Sequence, residues 1–131
     1  MMIRKASCSC GQVTLFAEGE PSRISICHCS ACQKRTGNVF ATQARFEEAQ
    51  IRVEGDVKSY CRQADSGNGV WFEFCPNCAT TLCYRLQALP GVIGVPVGLF
   101  ADSDFPAPQV SVYEARQHPW VRLPEQIEHI D

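Results

Sequence analysis

The chain has 131 residues, 45% of them hydrophobic, with mean hydropathy −0.13. That is enough to bury a core as one domain, 1–131, and no apolar run nears the roughly 18 residues a membrane-spanning helix needs. The formal charge is −2 and no Lys/Arg run exceeds two residues, which argues against nucleic-acid partners that need a basic surface.

Taken in chain order, the sequence opens with MMIRKASCSC, charged and without the apolar stretch of a secretory signal, so the expected location is the reducing cytoplasm. GQVTLFAEG follows, with Val13, Leu15 and Ala17 alternating against Gln12, Thr14 and Phe16. This is a half-buried strand pattern with one apolar exception, Phe16. RISIC reads as a second strand. Next comes a short helix over SACQKRT, with Ser30 placed to cap it and Gly37 to end it. VFATQARF, IRVEG, KSYC, GVWFEFC, TLCYRLQ, GVIGVPVGLF and QVSVYEAR read as further strands, with a helical turn at residues 46–50. Turn signals separate them: Gly19 to Pro21, Gly37-Asn38, Gly55-Asp56, Gly67 to Gly69, Pro90-Gly91 and Pro106 to Pro108. Frequent short strands predict a mainly β chain. Neither helix suffices for a βαβ crossover, so a parallel sheet is not expected. Trp71, Phe72 and Phe74 are expected in the core. His118 and His129 are expected at the surface, and 100–108 is read as a loop with no assigned role.

Nine cysteines dominate the composition. The count is odd, and CxC and CxxC spacings are too tight to staple distant segments, but they suit two-point grips on an ion. In a reducing compartment metal binding is favoured over disulfides. Zinc takes four ligands in structural sites, with thiolates at about 2.3 Å. Cys8 and Cys10, with Cys75 and Cys78, would close such a cage and tie an early strand to a late hairpin.

Cys27, Cys29 and Cys32 remain. In an extended segment Cys27 and Cys29 point to one side, and Cys32 returns from the first helical turn, so the three can form a tripod. The helix start also favours a thiolate at Cys32. A fourth ligand could come from His28, Cys61 or Cys83. Alternation turns His28 away, which favours an orienting or structural role, and lone strand cysteines are mostly small buried side chains. Otherwise three ligands hold the metal and water or substrate takes the fourth position, as in catalytic sites.

The order CSCG (8–11), CHCSACQKRTG (27–37), FCPNCATTL (74–82) and HPWVRLPEQI (118–127) resembles the glutathione-dependent formaldehyde-activating enzyme family, which includes centromere protein V. The resemblance runs from about residue 4 to residue 127. It implies a β-tent fold of antiparallel sheets with two zinc ions. Cys8, Cys10, Cys75 and Cys78 would hold a structural ion, and Cys27, Cys29 and Cys32 a catalytic one. It also implies carbon–sulfur lyase-type chemistry joining glutathione and formaldehyde as S-hydroxymethylglutathione. Glutathione carries carboxylates, for which Lys34 and Arg35 are candidates, with Arg62 another. The family usually has glycine where this chain has Ala79, a departure that would matter if the position needs a positive φ. Trp120 falls in the late motif, as a substrate wall or a core plug.

Three functions compete. One is an enzyme acting on a thiol adduct. Another is a non-catalytic zinc module that binds a protein. The third is a methionine sulfoxide reductase of the B type, which would need Cys83 or Cys61 as a redox thiol.

Overall fold

The computed structural model describes residues 2–130. Eleven strands and one helix follow in order: β1 (Ile3–Ser7), β2 (Thr14–Glu18), β3 (Arg23–Cys27), α1 (Ser30–Thr36), β4 (Ala41–Glu47), β5 (Ile51–Glu54), β6 (Lys58–Gln63), β7 (Gly69–Phe74), β8 (Thr81–Leu86), β9 (Val92–Pro96), β10 (Val110–Val112) and β11 (Glu128–Ile130). Short 3₁₀ turns occupy Glu48–Gln50, Val97–Phe100 and Glu114–Arg116. The fold is mainly β, as the strand density predicts. The first lies where the helical turn at 46–50 is expected. The second replaces the end of the GVIGVPVGLF strand, because Val97 to Phe100 turn out of the sheet after Pro96.

Two sheets pack against each other. The smaller has order β1-β2-β5 and the larger β11-β10-β3-β4-β9-β8-β7-β6. Most pairs are antiparallel, but β10 runs parallel to both β3 and β11. The sheets are otherwise antiparallel, as expected, and parallel pairing is confined to these two three-residue registers. No helical crossover joins these strands: β4 to β9 lie between β3 and β10 in sequence, and residues 113–127 return the chain to β11.

The core lies between the sheets. Ala6, Leu15 and Ala17 of the small sheet meet Ile24, Ala44, Phe46, Cys83, Ile93 and Val95 of the large one. Phe46 is fully buried, and removing a side chain of its size from water contributes roughly 1.5–3 kcal/mol. Phe16, the apolar exception in its strand, points outward, with Arg52 lying 4.4 Å over its ring. The loop at 100–108 folds back on this core, with Phe105 stacked on Phe100 at 4.9 Å. Val70, Phe72 and Tyr84 form a smaller cluster. Trp71 does not join it and is 41% exposed, contrary to expectation: pleating sends it to the opposite face from Val70 and Phe72.

The two faces of β3 and β4 explain where the site lies. Ile24, Ala44 and Phe46 face the core, while Arg23, Ser25, Cys27, Gln43 and Arg45 line a cleft. Period-two alternation divides them. Cys27 ends β3, and α1 begins three residues later.

Candidate metal centres and cleft

The first cluster joins two tight turns. After β1, the Gly11 amide donates to the Cys8 carbonyl at 3.1 Å, with Gly11 at φ 82. After β7, the Ala79 amide donates to the Cys75 carbonyl at 2.8 Å, with Ala79 at φ 66. The position that the family usually fills with glycine is therefore left-handed here. The Ser9 amide donates to Thr80 Oγ1 at 3.1 Å and links the turns. Cys8 Sγ lies 3.7 Å from Cys10 Sγ, which lies 3.7 Å from Cys75 Sγ. A tetrahedron with metal–sulfur bonds of about 2.3 Å sets sulfurs roughly 3.8 Å apart. All four sulfurs, Cys78 included, lie within 4.8 Å of one another, and all are free thiols. The Thr80 hydroxyl and amide, with the Cys10 backbone, pull the Cys78 thiol down to about 5. The cluster thus fits a metal ion.

The second cluster brings together Cys27, Cys29 and Cys32, again within 4.8 Å. Among the described residues no fourth His, Cys, Asp or Glu joins them. Cys29, not Ser30, caps α1: its sulfur accepts the Cys32 amide at 3.3 Å. The reason is local. Cys29 has extended φ/ψ of −64 and 154, and its Sγ has the reach that a serine oxygen has in an ordinary cap. Ser30 instead accepts from Arg116 at 2.8 Å, and Gly37 ends the helix at φ 72. The hydrogen bond with Cys27 pulls the Cys32 thiol down to about 6 against the effect of burial; Cys29, Arg35 and Arg62 also lower it. Cys27 is pushed up by the same hydrogen bond and by burial. Thiolates so close repel one another, and a cation among them would relieve that repulsion.

His28 turns away from the sulfurs, as alternation predicts. Its ring is fully buried, with Nε2 3.0 Å from Ser111 Oγ, and burial lowers its pKa. Cys83 is buried in the core, its thiol pushed up to about 11 by burial. Cys61 is exposed, opposite Trp71 on β7, and belongs to neither cluster. Neither completes the tripod, and Cys83 lacks the accessible, low-pKa thiol of a redox catalyst.

The tripod sits in a cleft of about 690 Å³. Arg35 and Arg62 flank it, their guanidinium carbons 5.2 and 5.7 Å from the Phe72 ring centroid. Lys34 is exposed and does not line the cleft. His118 is half-buried and lies 3.2 Å from Gln33 Oε1, while His129 is exposed. Trp120 is 65% exposed, against the edge of His118, and is neither cleft wall nor core plug. Arg23, Gln43, Arg45, Arg116, Tyr113 and Tyr84 also line the cleft, and none was a candidate from the sequence. The strand parity of RISIC carried a signal, since it puts Arg23 and Ser25 on the face of Cys27.

Residues 3–116 match the family described as glutathione-dependent formaldehyde-activating enzyme. The chain belongs to this family. The matched span contains all seven clustered cysteines, so family membership and sulfur geometry concern the same residues. A Rhodobacter sphaeroides protein of known crystal structure is similar, with 24% identity and a TM-score of 0.56 over 72% of this chain and 85% of that one. At that identity the likeness speaks to fold alone. No curated protein matches the chain. Among the described residues no helix is long and apolar enough to cross a membrane.

Proposed function

We propose that the chain is a zinc-dependent enzyme of carbon–sulfur bond chemistry. It joins a thiol of the glutathione type to formaldehyde, or runs the lyase direction and releases the aldehyde. One observation carries this reading: three sulfurs converge, with no fourth protein ligand among the described residues, at a cleft lined by cations and aromatic rings. Family membership supports the glutathione and formaldehyde assignment.

In this reading Cys8, Cys10, Cys75 and Cys78 hold a structural zinc, and Cys27, Cys29 and Cys32 hold a catalytic one. A zinc ion held by three thiolates supplies an open coordination position and acidifies a thiol that occupies it. The protein's own groups do the rest. β3 and α1 fix the three sulfurs in one orientation, through the Cys29 cap and the Cys27 strand register with Ala41. Arg35 and Arg62 add positive charge beside Cys32, which favours an anionic sulfur there. Phe72 and Tyr84 wall the cleft. In the overall reaction a sulfur–carbon bond forms, the carbonyl π pair moves to oxygen, and the thiol proton ends on the new hydroxyl. The reverse breaks the same bonds.

Metal analysis should give two zinc ions per chain. In exchange spectroscopy of glutathione with formaldehyde, the protein should speed equilibration with S-hydroxymethylglutathione. Exchange no faster than in buffer, with both metals bound, would overturn the assignment.

A further inference from the structure

Away from the sulfurs, the cleft floor has a feature that the metal sites do not explain. Arg23 on β3 and Arg45 on β4 are direct cross-strand partners. Like charges placed directly opposite are destabilising in a sheet. Here the cost is compounded by burial. Four buried side-chain polar atoms lack a hydrogen-bond partner among the described residues, and three lie on this floor: Arg23 Nε, Arg45 Nε and Gln43 Oε1. A buried polar group left unpaired costs about 1–3 kcal/mol, and more when charged. Burial, and then the neighbouring Arg23 charge, lower the Arg45 pKa. Arginine nevertheless stays protonated, so the strain is not relieved by losing a proton.

Among the described residues no carboxylate pairs with these charges. The ion pairs among the described residues involve Arg4, Arg52, Arg85 and His129, not Arg23 or Arg45. Among the described residues the cleft lining contains five arginines and one acidic residue, Asp65. Such an excess is what a bound anion would neutralise.

The register also sets a length. Cys27, Ser25 and Arg23 follow one another on the same face of β3, at about 6.6 Å per pair, so Arg23 lies some 13 Å along the strand from the tripod. Gln43 stands opposite Ser25, between the sulfurs and the arginines. Its unpaired oxygen needs an N–H donor.

We propose that Arg23 and Arg45, with Gln43 between them and the tripod, form a recognition floor for an extended peptide-like thiol. The arginines take a carboxylate remote from the sulfur, and Gln43 takes an amide or ammonium N–H. This rests on the thiol reading above and deepens it. It assigns specificity to the floor, not to the cations beside the sulfurs.

Calorimetric titration of the zinc-loaded protein tests it with three probes: glutathione, its diethyl ester, and S-methylglutathione, whose sulfur is blocked. Arg23→Gln and Arg45→Gln should each weaken glutathione at least about tenfold, the loss expected of a charged hydrogen bond. Arg52→Gln, on the far sheet, should not. The diethyl ester should be similarly weakened on the unaltered protein, a comparison that holds even if a variant misfolds. S-methylglutathione separates the two readings. If it binds and loses affinity in Arg45→Gln, the floor stands whatever becomes of the thiol chemistry. If glutathione binds the variants and its ester binds the unaltered protein with no loss, the floor assignment is overturned while the thiol reading survives. Failure of both glutathione and S-methylglutathione to bind the unaltered protein would overturn it too.

Discussion

Ala79 holds a left-handed conformation, φ 66, in the turn that presents Cys75 and Cys78. A Cβ there is unfavourable by roughly 1–2 kcal/mol, partly offset because alanine loses less freedom than glycine on folding. Ala79→Gly should therefore stabilise the protein by up to about 1 kcal/mol, read from the denaturation midpoint at constant slope, with both metals retained. A loss of stability would mean that Ala79 packs in a way that outweighs its backbone strain. Cys32 makes a different prediction. It belongs to the helix start and to no core cluster. Cys32→Ser should keep the melting temperature within a few degrees but lower the zinc content from two per chain to one. Retention of both ions would break the tripod assignment.

Elements set the shape of the cleft. Tyr84 on β8 faces Gly94 on β9, and a Cβ at Gly94 would fall within the Tyr84 ring. Gly94→Ala must push that ring into the cleft or part the strands. A cost of about 1–3 kcal/mol is expected from overpacking, with weaker glutathione binding in the same titration. Unchanged binding would place Tyr84 outside the ligand's path. At the far edge of the sheet, His129 on β11 lies 2.5 Å from Glu114. Its hydrogen bond, and then one from Ser111, hold the Glu114 carboxyl below the ordinary carboxylate value of 4.5. A depressed carboxyl stabilises the fold above its unfolded pKa, and that contribution fades as pH falls through the native value. The stability gap between the protein and Glu114→Gln should therefore close on acidification; a constant gap would mean that Glu114 acts by packing.

At the scale of the whole molecule, the sulfur clusters were legible because two- and three-residue spacings fix local geometry whatever surrounds them. The long alternating strands were legible for the same reason. The cleft floor was not. Parity places Arg23 and Ser25 with Cys27, but only the non-local β3–β4 register sets Arg45 opposite Arg23 and makes their face a cleft instead of open surface. β11, three exposed residues long, carries too little pattern to read, and β10 is parallel only because distant chain adds beside β3. This division between local and non-local order predicts how the molecule comes apart. Cys8 and Cys10 lie in the loop of the small sheet's β1–β2 hairpin, while Cys75 and Cys78 follow β7, so a metal in the four-sulfur cluster would cross-link segments that are far apart in sequence. The tripod lies within six residues and cross-links nothing remote. A chelator at neutral pH should then remove one zinc without change in circular dichroism, and this ion should be the one that Cys32→Ser lacks. The second should leave only with cooperative unfolding, and Cys75→Ser should lower stability by several kcal/mol, because metal bound only by the folded chain stabilises it. A protein that stays folded after losing both ions would show that the core between the sheets suffices, and the four-sulfur cluster would then lose its structural role.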